Sequence, residues 1–115
     1  MKDNVIKMKS FAFALAIIEL YRQLKRSGEK VLANQLLRSG TSIGANVEEA
    51  DAAQTKKDFT AKISIASKEA REARYWLRLL QASKIGGLDY SKELSAADEI
   101  VRILTAIVKT AQKGS

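Results

Sequence analysis

The feature that most limits how this chain can fold is a heptad pattern of small and apolar residues in its middle third. These residues recur at alternating spacings of four and three, at Phe59, Ile63, Ala66, Ala70, Ala73, Leu77 and Leu80. The spacing puts them on one face of an α-helix, as a seam that must be buried against another helix. The preceding stretch repeats the pattern at Leu32, Leu36, Ser39 or Gly40, Ile43, Val47 and Ala50. We expect these two helices to pack together, with Gly40 and Gly44 facing the alanines of the seam.

The rest of the chain predicts two further helices. Its 115 residues include no proline, and its six glycines stand near expected helix ends or in the Gly40 and Gly44 pair, which favours an all-α fold. Four helices with short connections are typical of a single-domain, antiparallel up-down-up-down four-helix bundle. Residues 1–9 are predicted to be a frayed lead-in, and the alternative is that Val5, Ile6 and Met8 extend the first helix or reach a neighbour. The predicted domain covers residues 1–115, with helices at about 10–26, 30–52, 56–84 and 91–112.

Local signals support these helix ends. Residues 27–29 predict a tight turn in which Gly28 takes the left-handed conformation. Thr55 and Asp58 have the spacing of a capping box, which starts the third helix just before its seam. Two glycines at 86–87 end that helix. A kink in the second helix at Gly40 and Gly44 is left open by the sequence.

The first and fourth helices are apolar over an arc wider than a single core requires. On the first helix, Ala14, Ile17, Tyr21 and Leu24 mark an inner stripe, and on the fourth the inner stripe is Leu94, Ala97, Val101, Leu104, Val108 and Ala111. The outer stripes are Phe11, Leu15 and Ile18 on the first helix and Ile100, Ile103 and Ile107 on the fourth. Because these two helices are neighbours in the predicted topology, the outer stripes predict an oligomer interface. The alternative is that both helices are buried more deeply than average in a monomer.

A basic stripe is predicted on the third helix, opposite its seam. The chain has a formal net charge of +7, and residues 55–83 hold seven basic and three acidic residues. The stripe consists of Lys68, Arg71 and Arg78 with Tyr75 between them and Arg74 beside them, and the first helix adds Arg22, Lys25 and Arg26. This charge predicts binding of RNA or DNA by backbone or shape, since no base-reading motif accompanies it. The alternative is an ordinary solvated helix face.

A polar network is predicted where the second and third helices meet. Arg38, Asn46 and Glu49 lie along one edge of the second helix, and Glu69 and Glu72 lie beside the seam of the third. We expect Arg38 to pair with Glu49, Glu69 or Glu72 and to fix the register of the two helices more than it adds net stability. The alternative role for Arg38 is contact with nucleic acid.

The sequence argues against an enzyme. It contains no histidine and no cysteine, which excludes Ser-His and Cys-His catalysis, zinc sites of the usual kind and the His-containing di-iron sites of helical bundles. We expect the three carboxylate pairs to be solvated or ion-paired, and we expect no metal, cofactor or catalytic site. These pairs are Glu48 with Glu49, Glu69 with Glu72, and Asp98 with Glu99.

The sequence also argues against insertion in a membrane or export through one. Its longest apolar stretch, residues 11–18, is far shorter than the ~20 residues that a membrane helix needs. Glu19, Tyr21 and Arg22 follow that stretch where a signal peptide would have small residues. We therefore expect a cytoplasmic protein.

Two segments carry a resemblance to a known family, QLLRSGTSIGANVEEA and KKDFTAKISIASKEAREARYWLRLL. They resemble the 23S rRNA intervening-sequence proteins, also called the S23 ribosomal protein family. The resemblance extends from Phe11 to the region of Leu88, and the last helix matches in pattern. Gly44 departs from the family, where many members have proline. The most specific positions are Arg38, Ser42, Ile43, Ala45, Asn46, Glu49, Phe59, Ala66, Glu69 and Leu77.

The resemblance implies a left-handed four-helix bundle that assembles into a ring, typically a homopentamer. Members of this family are encoded in insertions within large ribosomal RNA genes. The chain is also similar to the accessory proteins of diversity-generating retroelements, which are basic pentameric barrels that bind nucleic acid and a reverse transcriptase. The expected partners are therefore further copies of this chain, RNA or DNA, and a polymerase-type protein. A protein-interaction or assembly module without nucleic-acid function is the alternative.

Overall fold

The computed structural model describes residues 5–114 and is all-α, as predicted. It contains α1 (Val5–Arg26), α2 (Val31–Asp51), α3 (Lys56–Ser83) and α4 (Ser91–Lys113), with a short 3-10 turn, Ile85–Gly87, between the last two. Within this described range there is no strand, and no helix combines the length and apolar character needed to cross a membrane. Residues 1–4 of the predicted lead-in lie outside the described residues.

The first helix begins earlier than the predicted start at residue 10. Ile6 is fully buried, so the core face of α1 continues one turn and more before Ser10. Of the two alternatives for this region, extension of the first helix is therefore correct for residues 5–9. The start was missed because the exposed Met8 and the charged Lys7 and Lys9 interrupt the apolar run around Ile6.

The helices form a four-helix bundle 46 Å long and 20 Å across. Helix α1 packs against α2 and α4, and α3 packs against the same two helices. Helices α1 and α3 therefore lie across the bundle from each other, and their outward faces point in opposite directions.

The heptad seam of α3 is buried as predicted. Ile63, Leu77 and Leu80 are fully buried together with the three alanines of the seam, while Phe59 at its start is partly buried. On α1 the inner stripe differs from the prediction, because Phe13 and Leu20 are core residues. Ala14 and Tyr21, predicted to be inside, are only half-buried at the edge of the core.

The two glycines of α2 face α1 and not the alanine seam, so this part of the prediction is wrong. A Cβ atom added to Gly40 would lie 2.9 Å from Cγ2 of Ile17, and one added to Gly44 would lie 3.5 Å from Oγ of Ser10. Gly40 makes room for the branched side chain of Ile17, whereas the alanines of α3 are small enough to pack without glycine opposite them. Helix α2 runs through both glycines without a break.

The helix ends follow from local chemistry. Gly28 has a φ of 95°, as the predicted turn requires. Thr55 Oγ1 accepts a hydrogen bond of 3.0 Å from the backbone N–H of Asp58 and caps α3. At the other end of α3, Lys84 takes the left-handed conformation with a φ of 61°, and the glycines at 86–87 follow it.

Tyr90 is a core residue that the sequence pattern did not reveal. It stands just before α4, outside any helical periodicity, yet its side chain is fully buried. Its hydroxyl donates a 2.7 Å hydrogen bond to the carbonyl of Ile85, so the buried polar group is satisfied. Tyr90 thereby fixes the turn between α3 and α4 against the end of the core.

Candidate functional site

The outward face of α3 carries the predicted basic stripe. Lys68, Arg71, Tyr75 and Arg78 are exposed, and they lie opposite the buried seam of the same helix. The heptad spacing explains this placement. The residues of the stripe are spaced three and four positions apart, so they share one helix face, and burying the seam leaves that opposite face toward solvent.

The cations of this stripe differ in the contacts that their side chains make. Arg71 donates a 2.9 Å hydrogen bond to Thr105 Oγ1 on α4. Arg74 is half-buried and lies 3.4 Å from a carboxylate oxygen of Asp98, so it joins α3 to α4 and does not extend the outward stripe. Within residues 5–114, Lys68 and Arg78 have neither an ion pair nor a hydrogen bond through their side chains. These two are the cations of the stripe whose side chains make no such contact, while Arg71 keeps its charge because the hydroxyl of Thr105 is neutral.

Tyr75 lies between these cations with 49% of its surface exposed. Its ring is 5.3 Å from that of Trp76 in an edge-to-face arrangement. The indole N–H of Trp76 donates a 3.0 Å hydrogen bond to Glu72 Oε2. The exposed ring of Tyr75 thus contacts Trp76, whose position is fixed by its hydrogen bond to Glu72.

The three predicted cations of α1 lie on a different helix from this stripe. Arg22 is 3.5 Å from Glu19, and the ammonium of Lys25 lies 5.4 Å from the centre of the Tyr21 ring. Arg26 ends the helix, where a positive charge is favourable. Because α1 lies across the bundle from α3, the structure does not bring these residues together with Lys68 and Arg78 on one face.

The polar network at the junction of α2 and α3 is smaller than predicted. Arg38 donates a 2.9 Å hydrogen bond to Glu69 and a second one to Glu72, as expected. Glu49 pairs instead with Lys62 at 3.0 Å. Asn46 donates to the carbonyl of Ser42, in its own helix, at 2.9 Å. Glu49 is three turns beyond Arg38, too far along α2 to share its partners.

These contacts shift the ionisation of the network. The indole of Trp76 and then the guanidinium of Arg38 hold the pKa of Glu72 below its ordinary value. The same contact with Glu72 raises the pKa of Arg38. Glu72 is therefore held in its charged form, and it links the aromatic pair of α3, the exposed Tyr75 and the partly buried Trp76, to α2.

The carboxylate pairs considered as metal sites are ion-paired, as the sequence indicated. Every one of the six carboxylates lies within 4.0 Å of a basic side chain. Among residues 5–114, no three side chains of the metal-ligating types form a group that could hold an ion. The pairs are Glu48 with Lys7, Glu49 with Lys62, Glu69 and Glu72 with Arg38, Asp98 with Arg74, and Glu99 with Lys9.

The outward face of α1 is apolar. Phe11 and Leu15 are 64% and 54% exposed, and Ile18 is half-buried beside them. Met8, which the sequence analysis did not assign to this stripe, extends it by one turn and is 71% exposed. Its spacing of three from Phe11 was the available signal. We call Met8, Phe11, Leu15 and Ile18 the α1 stripe.

The predicted outer stripe of α4 is not exposed. Ile100 is buried in the core with 1% of its surface accessible, so its assignment to an exposed interface is wrong. Ile103 and Ile107 are half-buried and pack against the core. Ile100 lines a groove of about 300 Å³ between α1 and α4, and Ile103 and Ile107 continue that edge of α4 at helical spacing. The wide apolar arc of α4 therefore packs within the bundle.

Comparison with known proteins agrees with this architecture. A model of the family described as 23S rRNA-intervening sequence protein matches residues 2–106. The chain is similar to a protein of unknown function from the S23 ribosomal protein family of Bacteroides thetaiotaomicron, whose crystal structure was determined at 1.70 Å resolution. The two are 43% identical, the match covers 91% of this chain and 99% of the other, and the TM-score is 0.86. None of the curated proteins matches the chain. With nearly its whole length matched in sequence and structure, the chain belongs to the 23S rRNA-intervening sequence protein family.

Proposed function

We propose that this protein is a non-enzymatic, self-associating helical scaffold that binds RNA or DNA through the outward face of α3. The observation that carries the proposal is the distribution of charge. The carboxylates on the helix edges are occupied by ion pairs, whereas Lys68 and Arg78 on the outward face of α3 have no counter-ion within residues 5–114. Cations with no partner in the protein are suited to the phosphates of a polyanion.

The proposed scaffold is built from helices that alternate in direction, up-down-up-down. Two ion pairs support this arrangement. Lys7 near the start of α1 pairs with Asp51 at the end of α2, and Lys62 near the start of α3 pairs with Glu49, also near the end of α2. Each pair joins the beginning of one helix to the end of its neighbour, as antiparallel packing requires.

Self-association is proposed to use the α1 stripe. Exposed side chains as large as Met8, Phe11 and Leu15, aligned on one helix face, are typical of a protein interface. A cyclic assembly joins two different surfaces of neighbouring subunits. We propose five subunits in the ring. This number comes from the family resemblance and not from the geometry of the subunit. Such a ring multiplies the formal charge of +7 per chain fivefold, which strengthens attraction to a polyanion at low salt.

The test is binding of a labelled RNA and the DNA of the same sequence, measured by fluorescence anisotropy while the salt concentration is raised. We expect affinity to fall steeply with salt and to be weakened by the double substitution Lys68→Gln and Arg78→Gln. The matched control is Lys62→Gln with Arg74→Gln, which removes the same number of charges from cations of α3 that are already paired with Glu49 and Asp98. Equal effects of the two pairs, or no binding at low salt, would contradict the proposal.

The α1 stripe also favours a second candidate, an assembly module without nucleic-acid function. In this case the stripe binds another protein, either a further copy of this chain or a polymerase-type protein. Contacts dominated by apolar area keep their strength as salt rises, while phosphate contacts weaken. Association that is insensitive to salt, together with no affinity for nucleic acid, would select this candidate.

A further inference from the structure

We propose that Tyr75 is a stacking platform for an unpaired base, so that the nucleic acid bound by α3 is single-stranded. This inference rests on the proposed nucleic-acid function and specifies its ligand class. Tyr75 is the exposed aromatic residue on the basic face, and within residues 5–114 its hydroxyl makes no hydrogen bond and its side chain is not part of the core. The ring is therefore not needed to hold the fold together.

The cations around Tyr75 give the site its preference for nucleic acid. Lys68 precedes Tyr75 by two turns, about 10.5 Å along the helix axis, and Arg78 follows it by about 4.5 Å. Both are exposed and have no partner within residues 5–114. A base stacked on the ring would have a cation available to the backbone on each side. An aromatic platform within a positively charged track is how proteins bind single strands without reading their sequence.

The ring is also held in a defined position. Its neighbour Trp76 meets it edge to face, with an angle of 64° between the rings. Trp76 is fixed by its hydrogen bond to Glu72, which in turn is bonded to Arg38 of α2. Less conformational freedom is then lost when a base stacks on Tyr75 than would be lost on a mobile side chain.

A duplex fits this site poorly. Its bases are already stacked on one another, and taking one out of the stack costs free energy that a single strand does not require. The outward face of a helix offers phosphate contacts to duplex and single strand alike. We therefore expect Tyr75 to add affinity for the single strand alone.

The chain contains an internal probe for this contact. Trp76 is the single tryptophan in the sequence, and its ring centre is 5.3 Å from that of Tyr75. A base stacked on Tyr75 changes the surroundings of the indole, so the fluorescence of Trp76 should change with binding. Polyphosphate, which has charge and no bases, should bind without producing the same change.

The experiment compares wild type, Tyr75→Ala and Tyr75→Phe for binding to oligouridine, to a hairpin duplex with the same number of phosphates, and to polyphosphate. Anisotropy or competition gives the affinities, and Trp76 fluorescence reports the contact. We expect Tyr75→Ala to weaken oligouridine binding by about tenfold and to leave duplex and polyphosphate affinity unchanged. Tyr75→Phe keeps the aromatic face and should retain most of the affinity. Because Tyr75 is half exposed, circular dichroism should show that the variants fold.

Two results overturn the inference, and they are distinguishable. If Tyr75→Ala leaves oligouridine affinity unchanged, or lowers duplex and oligouridine affinity equally, Tyr75 is not a stacking platform. Binding that still depends on Lys68 and Arg78 would then leave the proposed function intact. If wild type binds none of the three ligands at low salt, the proposed nucleic-acid function fails, and the stacking site fails with it.

Discussion

The outward faces of α1 and α3 have opposite chemical character, although the two helices pack in the bundle in the same way. Both helices bury an apolar stripe in the bundle, Ile6 to Leu24 on α1 and Ile63 to Leu80 on α3. Toward solvent, α1 presents the apolar α1 stripe, while α3 presents mainly cations with the ring of Tyr75 and, at one edge, Ile65. The inner faces therefore specify the fold, and the outer faces suit the different partners that we propose. Exposed apolar area is stabilised by covering it with protein, and unpaired cations are stabilised by an anion.

The position of the two faces matters as much as their chemistry. Because α1 and α3 lie across the bundle from each other, a neighbour that covers the α1 stripe does not itself cover the α3 face. In the proposed assembly, one subunit therefore binds both partners at once. If the two faces act separately, a change to one leaves the function of the other intact.

Charging the α1 stripe should break the assembly. We expect Phe11→Glu with Leu15→Glu to reduce the mass in solution to that of one chain, 12.7 kDa, because burying two carboxylates in an apolar interface is strongly unfavourable. Size exclusion with light scattering measures this. Val31→Glu with Ile65→Glu is the matched control, since these side chains are 73% and 42% exposed and lie on α2 and α3, outside the stripe. A control that dissociates the assembly equally well would show that the α1 stripe is not the interface.

Removing the available cations of α3 should weaken nucleic-acid binding without changing the assembly. For Lys68→Gln with Arg78→Gln, we expect the slope of log affinity against log salt to fall by about 2, one for each lost phosphate contact. The oligomer mass should equal that of wild type. A change of mass in this variant would mean that the α3 face also contributes to the subunit interface, and the separation of the two faces would be wrong.

The glycines of α2 test whether the inner face of α1 is as tightly packed as the structure indicates. In Gly40→Ala the new Cβ would meet the buried Ile17 at 2.9 Å, and we expect a loss of about 1 to 2 kcal/mol in the free energy of unfolding. In Gly44→Ala the nearest atom is at 3.5 Å, so the gain in helix propensity should dominate and stabilise by about 0.5 to 1 kcal/mol.

Denaturant unfolding of both variants measures these differences. Both substitutions leave the charges and the outward faces unchanged, so nucleic-acid affinity should stay at the wild-type level. Stabilisation by Gly40→Ala would show that Ile17 does not approach α2 as closely as described.

The smallest expected effect is the pH dependence of stability that is due to Glu72, the residue that links Trp76 on α3 to Arg38 on α2. The pKa of Glu72 is lowered in the folded protein by Trp76 and Arg38, so its contribution to stability is present above the unfolded pKa, near 4.5. It is lost as the pH falls through the lower folded pKa. We expect Glu72→Gln to remove this part of the acid sensitivity of the free energy of unfolding. The change should be less than about 1 kcal/mol, because Arg38 is half exposed. Unfolding of both proteins measured at neutral and acidic pH checks this, and an unchanged acid dependence would contradict it.

The α3 seam could be predicted from the sequence because a repeated spacing determines it, whereas on α1 the same reasoning placed Ala14 and Tyr21 inside in place of Phe13 and Leu20. The α3 seam and the turn at Gly28 are local patterns, and both appear in the structure as expected. Tyr90 could not be predicted in this way, because it lies outside any repeat and is buried by the approach of a turn to the end of the core. Gly40 and Gly44 were assigned to the wrong neighbour, since periodicity shows that a face is buried and not which helix covers it.

The outer faces were predicted less completely for a related reason. The sequence identified Phe11, Leu15 and the basic residues of α3, but it placed Ile100 outside although the bundle uses it inside. It could not separate Arg74, which pairs with Asp98, from Arg78, which has no ion pair among the residues that the structure describes. Such distinctions depend on which side chains from distant parts of the chain come within hydrogen-bond reach.

The most direct test of two separate faces is the mass of the wild-type protein, measured by light scattering with and without a single-stranded oligonucleotide at low salt. We expect a mass of several chains of 12.7 kDa without the oligonucleotide, about five for the proposed pentamer. We expect a larger mass with the oligonucleotide, which returns to the protein-only value at high salt. A mass of one chain under both conditions, at micromolar protein concentration, would contradict the separation into an assembly face and a binding face.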